Sequence, residues 1–127
     1  MNVVDLNADV GESYGLMHSG IDSEIIPHVT SVNIATGFHS GDPDTIKKTV
    51  ELALSYSKSI GAHPSYPDLQ GFGRRKIDMD IDSIENLISY QVGALHAFSK
   101  DNLNHVKPHG ALYNNAAKDM NIAAAIF

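Results

Sequence analysis

Short apolar stretches alternate with longer amphipathic ones along the whole chain. Val3 to Asp9 reads as a first strand, followed by a glycine-containing loop and a short helix over Ile21 to Val29. Ser31 to Thr36 reads as a second strand, with Val32 and Ile34 on one face. The clearest helix comes next. Asp42 suits the N-cap, Pro43 the first helical position and Asp44 the positive end of the dipole, after which Ile46, Val50, Ala53 and Leu54 recur at helical spacing. Ser59 to His63 is a short apolar third strand, and Pro64 to Asp78 a long loop rich in glycine, proline and aromatics. Asp82 and Glu85 form a capping-box-like start to a third helix, with Ile84, Leu87, Ile88, Val92, Leu95 and Phe98 as its apolar stripe. Asn104 to Lys107 reads as a fourth strand and Ala111 onward as a fourth helix.

Strands alternating with helices imply parallel strands joined by right-handed crossovers. The expectation is one α/β domain over residues 1–127, built of four βα units. That is half of an eightfold (β/α) barrel, whose usual size is about 250 residues. The final Asn121 to Phe127 is helix-forming sequence without a stop signal, so the chain reads as truncated relative to a full barrel. A half-barrel with an uncovered edge and apolar face is expected to self-associate.

Bulk properties narrow the function. A hydrophobic fraction of 43% and a charged fraction of 19% describe an ordinary globular domain. Formal net charge is −6 and the basic residues are scattered, which argues against nucleic acid as a partner. The chain has no cysteine, so it offers neither disulfides nor thiolate metal ligands. No apolar run approaches the roughly 18 residues of a membrane span, and the N-terminus lacks a signal-peptide pattern. The cytoplasm is therefore the expected compartment.

Chemistry-bearing side chains collect just after each strand. The first strand end gives Asn7, Asp9 and Glu12; the second gives Asn33, His39 and Asp42. The third gives His63, Asp68, Arg74 and Arg75; the fourth gives Lys107 and His109. This is the pattern of a parallel α/β active face, where ligands bind beyond the carboxyl ends of the strands. Taken singly, each residue has an ordinary alternative as a turn, a cap or a solvated charge. His18, His28 and His96 read as structural, and His105 is open. A lysine at an inward-facing strand end requires an anion or a carboxylate partner. Gly71-Phe72-Gly73 next to Arg74-Arg75 reads as a mobile lid able to clamp a carboxylate or phosphate. Imidazoles and carboxylates together suit either a divalent metal or metal-free acid–base catalysis, and spacing leaves that choice open.

Four stretches resemble the LamB/YcsF family, whose members serve as the A component of the prokaryotic ATP-dependent 5-oxoprolinase. They are Asp5-Leu6-Asn7-Ala8-Asp9-Val10-Gly11-Glu12-Ser13, Asn33-Ile34-Ala35-Thr36-Gly37-Phe38-His39-Ser40-Gly41-Asp42, the long run Gly61 to Arg75, and His105-Val106-Lys107-Pro108-His109-Gly110-Ala111-Leu112-Tyr113. Ala8 and Thr36 stand where the family usually has cysteine, so this chain brings no thiol. The resemblance implies a barrel similar to the glycoside hydrolases and deacetylases. It implies cleavage of the 5-oxo-L-proline lactam to L-glutamate together with two partner subunits. By analogy with those barrels, Asp9, His63 and His109 are implied ligands of a divalent metal, with His39 nearby. Asp9, Glu12, His63, Lys107 and His109 are then the expected catalytic set, and Asn7, Asn33, His39, Arg74 and Arg75 the expected substrate-binding set. The chain has no G-x-x-x-x-G-K-[ST] loop, so ATP is expected to enter through the partner subunits. Two rival expectations stand beside this one: a metal-dependent amidase or carbohydrate deacetylase acting without ATP, and a catalytically incomplete half-barrel acting only through self-association.

Overall fold

The computed structural model describes residues 2–127. Four parallel strands, β1 (Asn7–Val10), β2 (Ser31–Ala35), β3 (Ser59–His63) and β4 (Leu103–Val106), form one sheet in the order β1-β2-β3-β4. Helices α1 (Asp22–Ile25), α2 (Pro43–Ser55) and α3 (Ile81–Ser99) make the three crossovers, and α4 (Gly110–Ala116) and α5 (Met120–Ile126) follow β4. The parallel α/β class expected from the alternation is the one observed, and the ordered strands are consistent with an arc of a barrel.

The sheet has two chemically distinct faces. Ala8, Val10, Val32, Ile34, Ile60 and Ala62 alternate along β1 to β3 and pack with Ile46, Val50 and Ala53 of α2 and Leu95 of α3. The intervening positions, Asn7, Asp9, Ser31, Asn33, Gly61 and His63, point the other way. A bulge keeps this division on β4. Leu103 pairs with Ile60 but His105 with Gly61, so Asn104 is the extra residue. Leu103 and Val106 can then both join the helix-side core although three positions apart, while His105 shares the polar face. A second core joins Ile84, Leu87 and Ile88 of α3 to Ala111 and Leu112 of α4, Ala125 and Ile126 of α5, and Tyr66.

Several boundaries differ from those expected of the sequence. β1 begins at Asn7 rather than Val3, because its partner β2 begins at Ser31; Val3 and Val4 are largely exposed. The Ile21 to Val29 helix is one α turn followed by a 3-10 turn over Ile26–His28. Asp42 caps α2 as expected, accepting from the Asp44 and Thr45 amides. On α3, however, the cap is Asp80, which accepts from Ser83 N at 2.8 Å, and not an Asp82–Glu85 box. The single helix expected from Ala111 onward is two, because Asp119 turns its carboxylate to the Asn121 amide and starts α5 afresh. None of the helices among the described residues is long and apolar enough to cross a membrane.

Candidate active site at the strand ends

The carboxyl ends of all four strands converge on one polar centre. Asp9 is the third residue of β1 and His63 the last of β3; Lys107 follows β4, and Pro108 then leads to His109, the residue before α4. Lys107 Nζ donates to Asp9 Oδ1 at 2.7 Å, the carboxylate partner that its inward position requires. Asp9 Oδ2 lies 3.4 Å from His63 Nε2. Burial alone would raise the Asp9 pKa, but His63, Lys107 and Asn33 outweigh it and hold the carboxyl well below the usual range. These partners favour the ionised form of Asp9.

The three histidines are nested. The rings of His39 and His109 stack at 3.7 Å with only 6° between their planes, and His63 stands edge-on to both. All three are buried. His109 Nδ1 is 3.0 Å from His63 Nε2, and Glu12 Oε1 is 3.1 Å from His39 Nε2 and 3.9 Å from His109 Nδ1. Burial, then the neighbouring His39, pushes His109 down to about 4; burial also lowers His39 despite the pull of Glu12. His109 is therefore neutral near pH 7, with Nδ1 turned toward His63 Nε2. One ligand atom each from Glu12, His39, His63 and His109 lies within 4.8 Å of the others. Three imidazoles and a carboxylate are a donor set that fits a divalent first-row transition cation.

The outer nitrogens of these rings are tied down by groups that carry little sequence signal. His63 Nδ1 donates to Lys107 O at 2.6 Å, and His109 Nε2 to Phe72 O at 2.8 Å. His39 Nδ1 lies 3.1 Å from Ser65 Oγ. Ser65 is in turn clamped by Gln91 of α3, whose amide meets both Ser65 N and Ser65 O. Ser65, the Phe72 carbonyl and Gln91 are components of the site that sequence reasoning does not find. Only Gln91 leaves a trace: a polar residue in register with the Leu87–Leu95 stripe, and fully buried.

The expected substrate-binding residues divide. Arg74 lines a cleft with Asp9, His63, Lys107 and His109, its guanidinium 5.4 Å from the Phe72 ring centre. Arg75 does not join it. Its guanidinium forks onto Asp68, with Nε 3.0 Å from Oδ1, and it faces a different groove. The mobile lid is also corrected. Gly73 N donates to Asp68 O and Ala111 N to Gly73 O, so the Gly71–Gly73 turn is pinned at both sides. Gly73 and Gly110 each have positive φ, and a Cβ on Gly110 would lie 2.5 Å from Gly73 O, so this crossing requires glycine. Asn33 is fully buried and held by Asn7, Asp9 and His105, which makes it a support for Asp9 instead of a substrate contact. Asn7 sits one layer further from the strand ends, bonded to Ser31 and Asn33. His105, left open by the sequence, joins this layer by bonding Asn33 Oδ1 at 2.7 Å. His18, His28 and His96 are exposed and away from the centre, as expected.

A parallel α/β chain with a buried histidine–carboxylate centre beyond its strand ends has the arrangement at which folds of this class bind their ligands. Residues 4–127 match the LamB/YcsF family, and the chain belongs to that family. It is 54% identical over 127 residues to the A component of 5-oxoprolinase from Limosilactobacillus fermentum, covering 99% of this chain and 51% of the relative. It is 56% identical to the corresponding 5-oxoprolinase component of Staphylococcus carnosus, covering 97% of this chain and 50% of the relative. The crystal structure of a lactam utilization protein from Thermus thermophilus superposes with a TM-score of 0.94 at 51% identity, over 97% of this chain and 51% of that one. The chain thus spans about half the length of the curated relatives it matches.

Proposed function

We propose that this chain forms the substrate-opening half of the A component of a 5-oxoprolinase, cleaving the lactam of 5-oxo-L-proline to L-glutamate with ATP supplied through partner subunits. The observation that carries this reading is the juxtaposition, in one cleft, of two cations with a carboxylate–imidazole pair: Arg74 and Lys107 beside Asp9 and His63. A small, anionic cyclic amide needs both. Arg74 offers a planar fork for the substrate carboxylate or for a phosphoryl group. Lys107 neutralises charge that builds on the oxygen of the carbonyl under attack.

The reaction to be helped is demanding, because a five-membered lactam is a resonance-stabilised amide. Phosphorylation of the lactam oxygen by ATP on a partner would convert it into a leaving group and make the ring carbon electrophilic. Water then adds to that carbon, its proton passing to the Asp9–His63 pair. The ring C–N bond breaks as the nitrogen takes up a proton, leaving the opened chain as an acyl phosphate, and a second water then displaces phosphate from it to give the carboxylate. The 3.0 Å contact between His63 Nε2 and His109 Nδ1 supports a relay of the proton between the two rings. A divalent cation held by the histidine cluster would instead supply Lewis acidity toward the carbonyl, its ring nitrogens then serving as ligands and no longer carrying the proton. That same cluster favours a second reading, amide hydrolysis without ATP, which turnover by the isolated protein would establish.

The test compares the two adjacent arginines in the full complex. Arg74→Ala is expected to raise KM for 5-oxo-L-proline at least about tenfold, in line with the loss of one charged hydrogen-bonding partner. Arg75→Ala, which removes only the Asp68 clamp, is expected to leave KM within about threefold. Equal effects of the two substitutions on KM, or none, would refute the assignment of the cleft.

A further inference from the structure

We propose that His105 is a positioning residue of the centre: its Nε2–H fixes which way the buried Asn33 amide points, and so keeps an N–H, and not a carbonyl oxygen, against Asp9. The placement of the hydrogens stands on geometry alone. Only the effect on turnover rests on the role proposed above for Asp9.

An ionised carboxylate only accepts, so the Asn33 atom 2.8 Å from Asp9 Oδ1 is the amide nitrogen. The remaining amide atom is the oxygen, and His105 Nε2 lies 2.7 Å from it. A carbonyl oxygen also only accepts, so His105 carries its hydrogen on Nε2. The other neighbour of Asn33 is Asn7, and these two amides exchange N–H···O bonds in both directions. Such a reciprocal pair is equally well made with both amides turned over, so by itself it selects neither orientation. Asn7 takes its own orientation from Ser31, which donates to Asp5 and so accepts from Asn7 Nδ2. Asn7 and Asp5 are exposed, however, and water can replace any bond they lose. Asn33 is fully buried and has no such reserve. Without His105 its oxygen keeps only the 3.2 Å bond from Asn7.

Two local features serve this contact. The first is the bulge at Asn104. Paired without it, Gly61 would face Asn104, and His105 would turn to the helix-side core. The second is Gly61, which clears the path of the ring: a Cβ there would lie 2.1 Å from Nε2 itself. Together they let a side chain of β4 reach across β3 to an amide on β2. Asp9 Oδ1 then receives two donors from fixed directions, Asn33 Nδ2 and Lys107 Nζ, which leaves Oδ2 toward His63. His105 touches none of the groups in the cleft and acts on Asp9 only through Asn33.

The experiment compares His105→Leu with His105→Gln. The glutamine amide nitrogen stands as many bonds from Cβ as histidine Nε2, so glutamine restores the donor and leucine does not. Solution NMR of the wild-type chain at about pH 8, where an ordinary imidazole is neutral, is expected to find the His105 hydrogen on Nε2. This readout holds even if His105→Leu fails to fold. The Asn33 side-chain amide protons should exchange at least about tenfold faster in His105→Leu than in the wild type, and within about threefold of the wild type in His105→Gln. In the complex with partner subunits, His105→Leu should lower kcat for 5-oxo-L-proline at least about tenfold and leave KM within about threefold, since Arg74 is untouched; His105→Gln should recover most of the loss. A hydrogen on Nδ1, equal amide exchange in His105→Leu and wild type, or a glutamine variant no better than the leucine one would each overturn the proposal. So would a kcat within about twofold of wild type in folded His105→Leu. A wild-type complex that does not open the lactam would refute the role given to Asp9, while the tautomer and the amide exchange still decide that of His105.

Discussion

Gly61 on β3 is the position where one methyl group should do the most damage for a reason visible in the structure. An alanine Cβ there would lie 2.1 Å from His105 Nε2 and 2.3 Å from its Cδ2. The ring of His105 lies across β3 in the space that glycine leaves, and it needs that path to reach Asn33 Oδ1 at 2.7 Å. Gly61 does not have a positive φ, so the alanine backbone is unstrained and its lower unfolded-state entropy favours folding by about 0.4–1 kcal/mol. Against this, displacing the ring breaks a hydrogen bond to a fully buried amide, costing about 1–2 kcal/mol. Forced repacking adds about 1–3 kcal/mol. The net expectation for Gly61→Ala is a loss of about 1–4.5 kcal/mol, centred on about 3.

The same geometry predicts a reversal of sign. With His105→Ala already in place the obstacle is gone, and Gly61→Ala should be neutral or stabilising by up to about 1 kcal/mol. Urea unfolding of the wild type, the two single variants and the double variant measures the coupling, expected near about 3 kcal/mol, provided the m-values agree. If Gly61→Ala costs the same in both backgrounds to within about 0.5 kcal/mol, the steric account is wrong.

Two further substitutions test the supports of the site. Asp42→Ala removes the α2 cap and the acceptor of the Gly15 amide, and should cost about 1–2 kcal/mol by thermal unfolding. The Thr45 and Gly15 amides hold the Asp42 carboxyl at about 2, below its ordinary 3.8. The stability from this ion is therefore complete above pH 3.8 and is lost as pH falls toward 2, so the advantage of the wild type over Asp42→Asn should vanish across that interval. Gln91→Leu strands Ser65 N and Ser65 O in the buried interior and leaves the Thr36 hydroxyl only a 3.4 Å contact to His63 O, and should cost about 3 kcal/mol by urea midpoint, whereas a loss below about 1 kcal/mol would mean that the clamp is not structural.

Much of the fold is legible because the chain obeys simple periodicities. Strands with one apolar face and helices with one apolar stripe announce themselves, and a parallel sheet then dictates that Asp9, His63, Lys107 and His109 meet at one end. What escapes such a reading is of three kinds. The β4 bulge puts Leu103 and Val106 together in the core although their spacing is odd, which no period-2 pattern shows. The acceptors that orient His63 and His109 are backbone carbonyls, and carbonyls have no letter in the sequence. Arg74 and Arg75 are identical neighbours, and only the buried Asp68 carboxylate decides which one is diverted from the cleft.

The polar face of the sheet gives these parts a common logic. Parallel strands in a barrel are ordinarily apolar on both sides. Here the side away from the helices carries Asn7, Ser31, Asn33 and His105 as a hydrogen-bonded layer beneath Asp9. Such a layer adds little net stability, since each bond replaces one to water. What it does supply is orientation. Asp9 is gripped by Asn33 from below and by Lys107 from the side, and each imidazole is gripped from outside by an acceptor on a different segment. A centre held this way would lose little further freedom on engaging a charged ligand, and such preorganisation is what a charge-stabilising site requires. The helix-side core provides the stability of the sheet, which leaves the opposite face free to be specialised for chemistry.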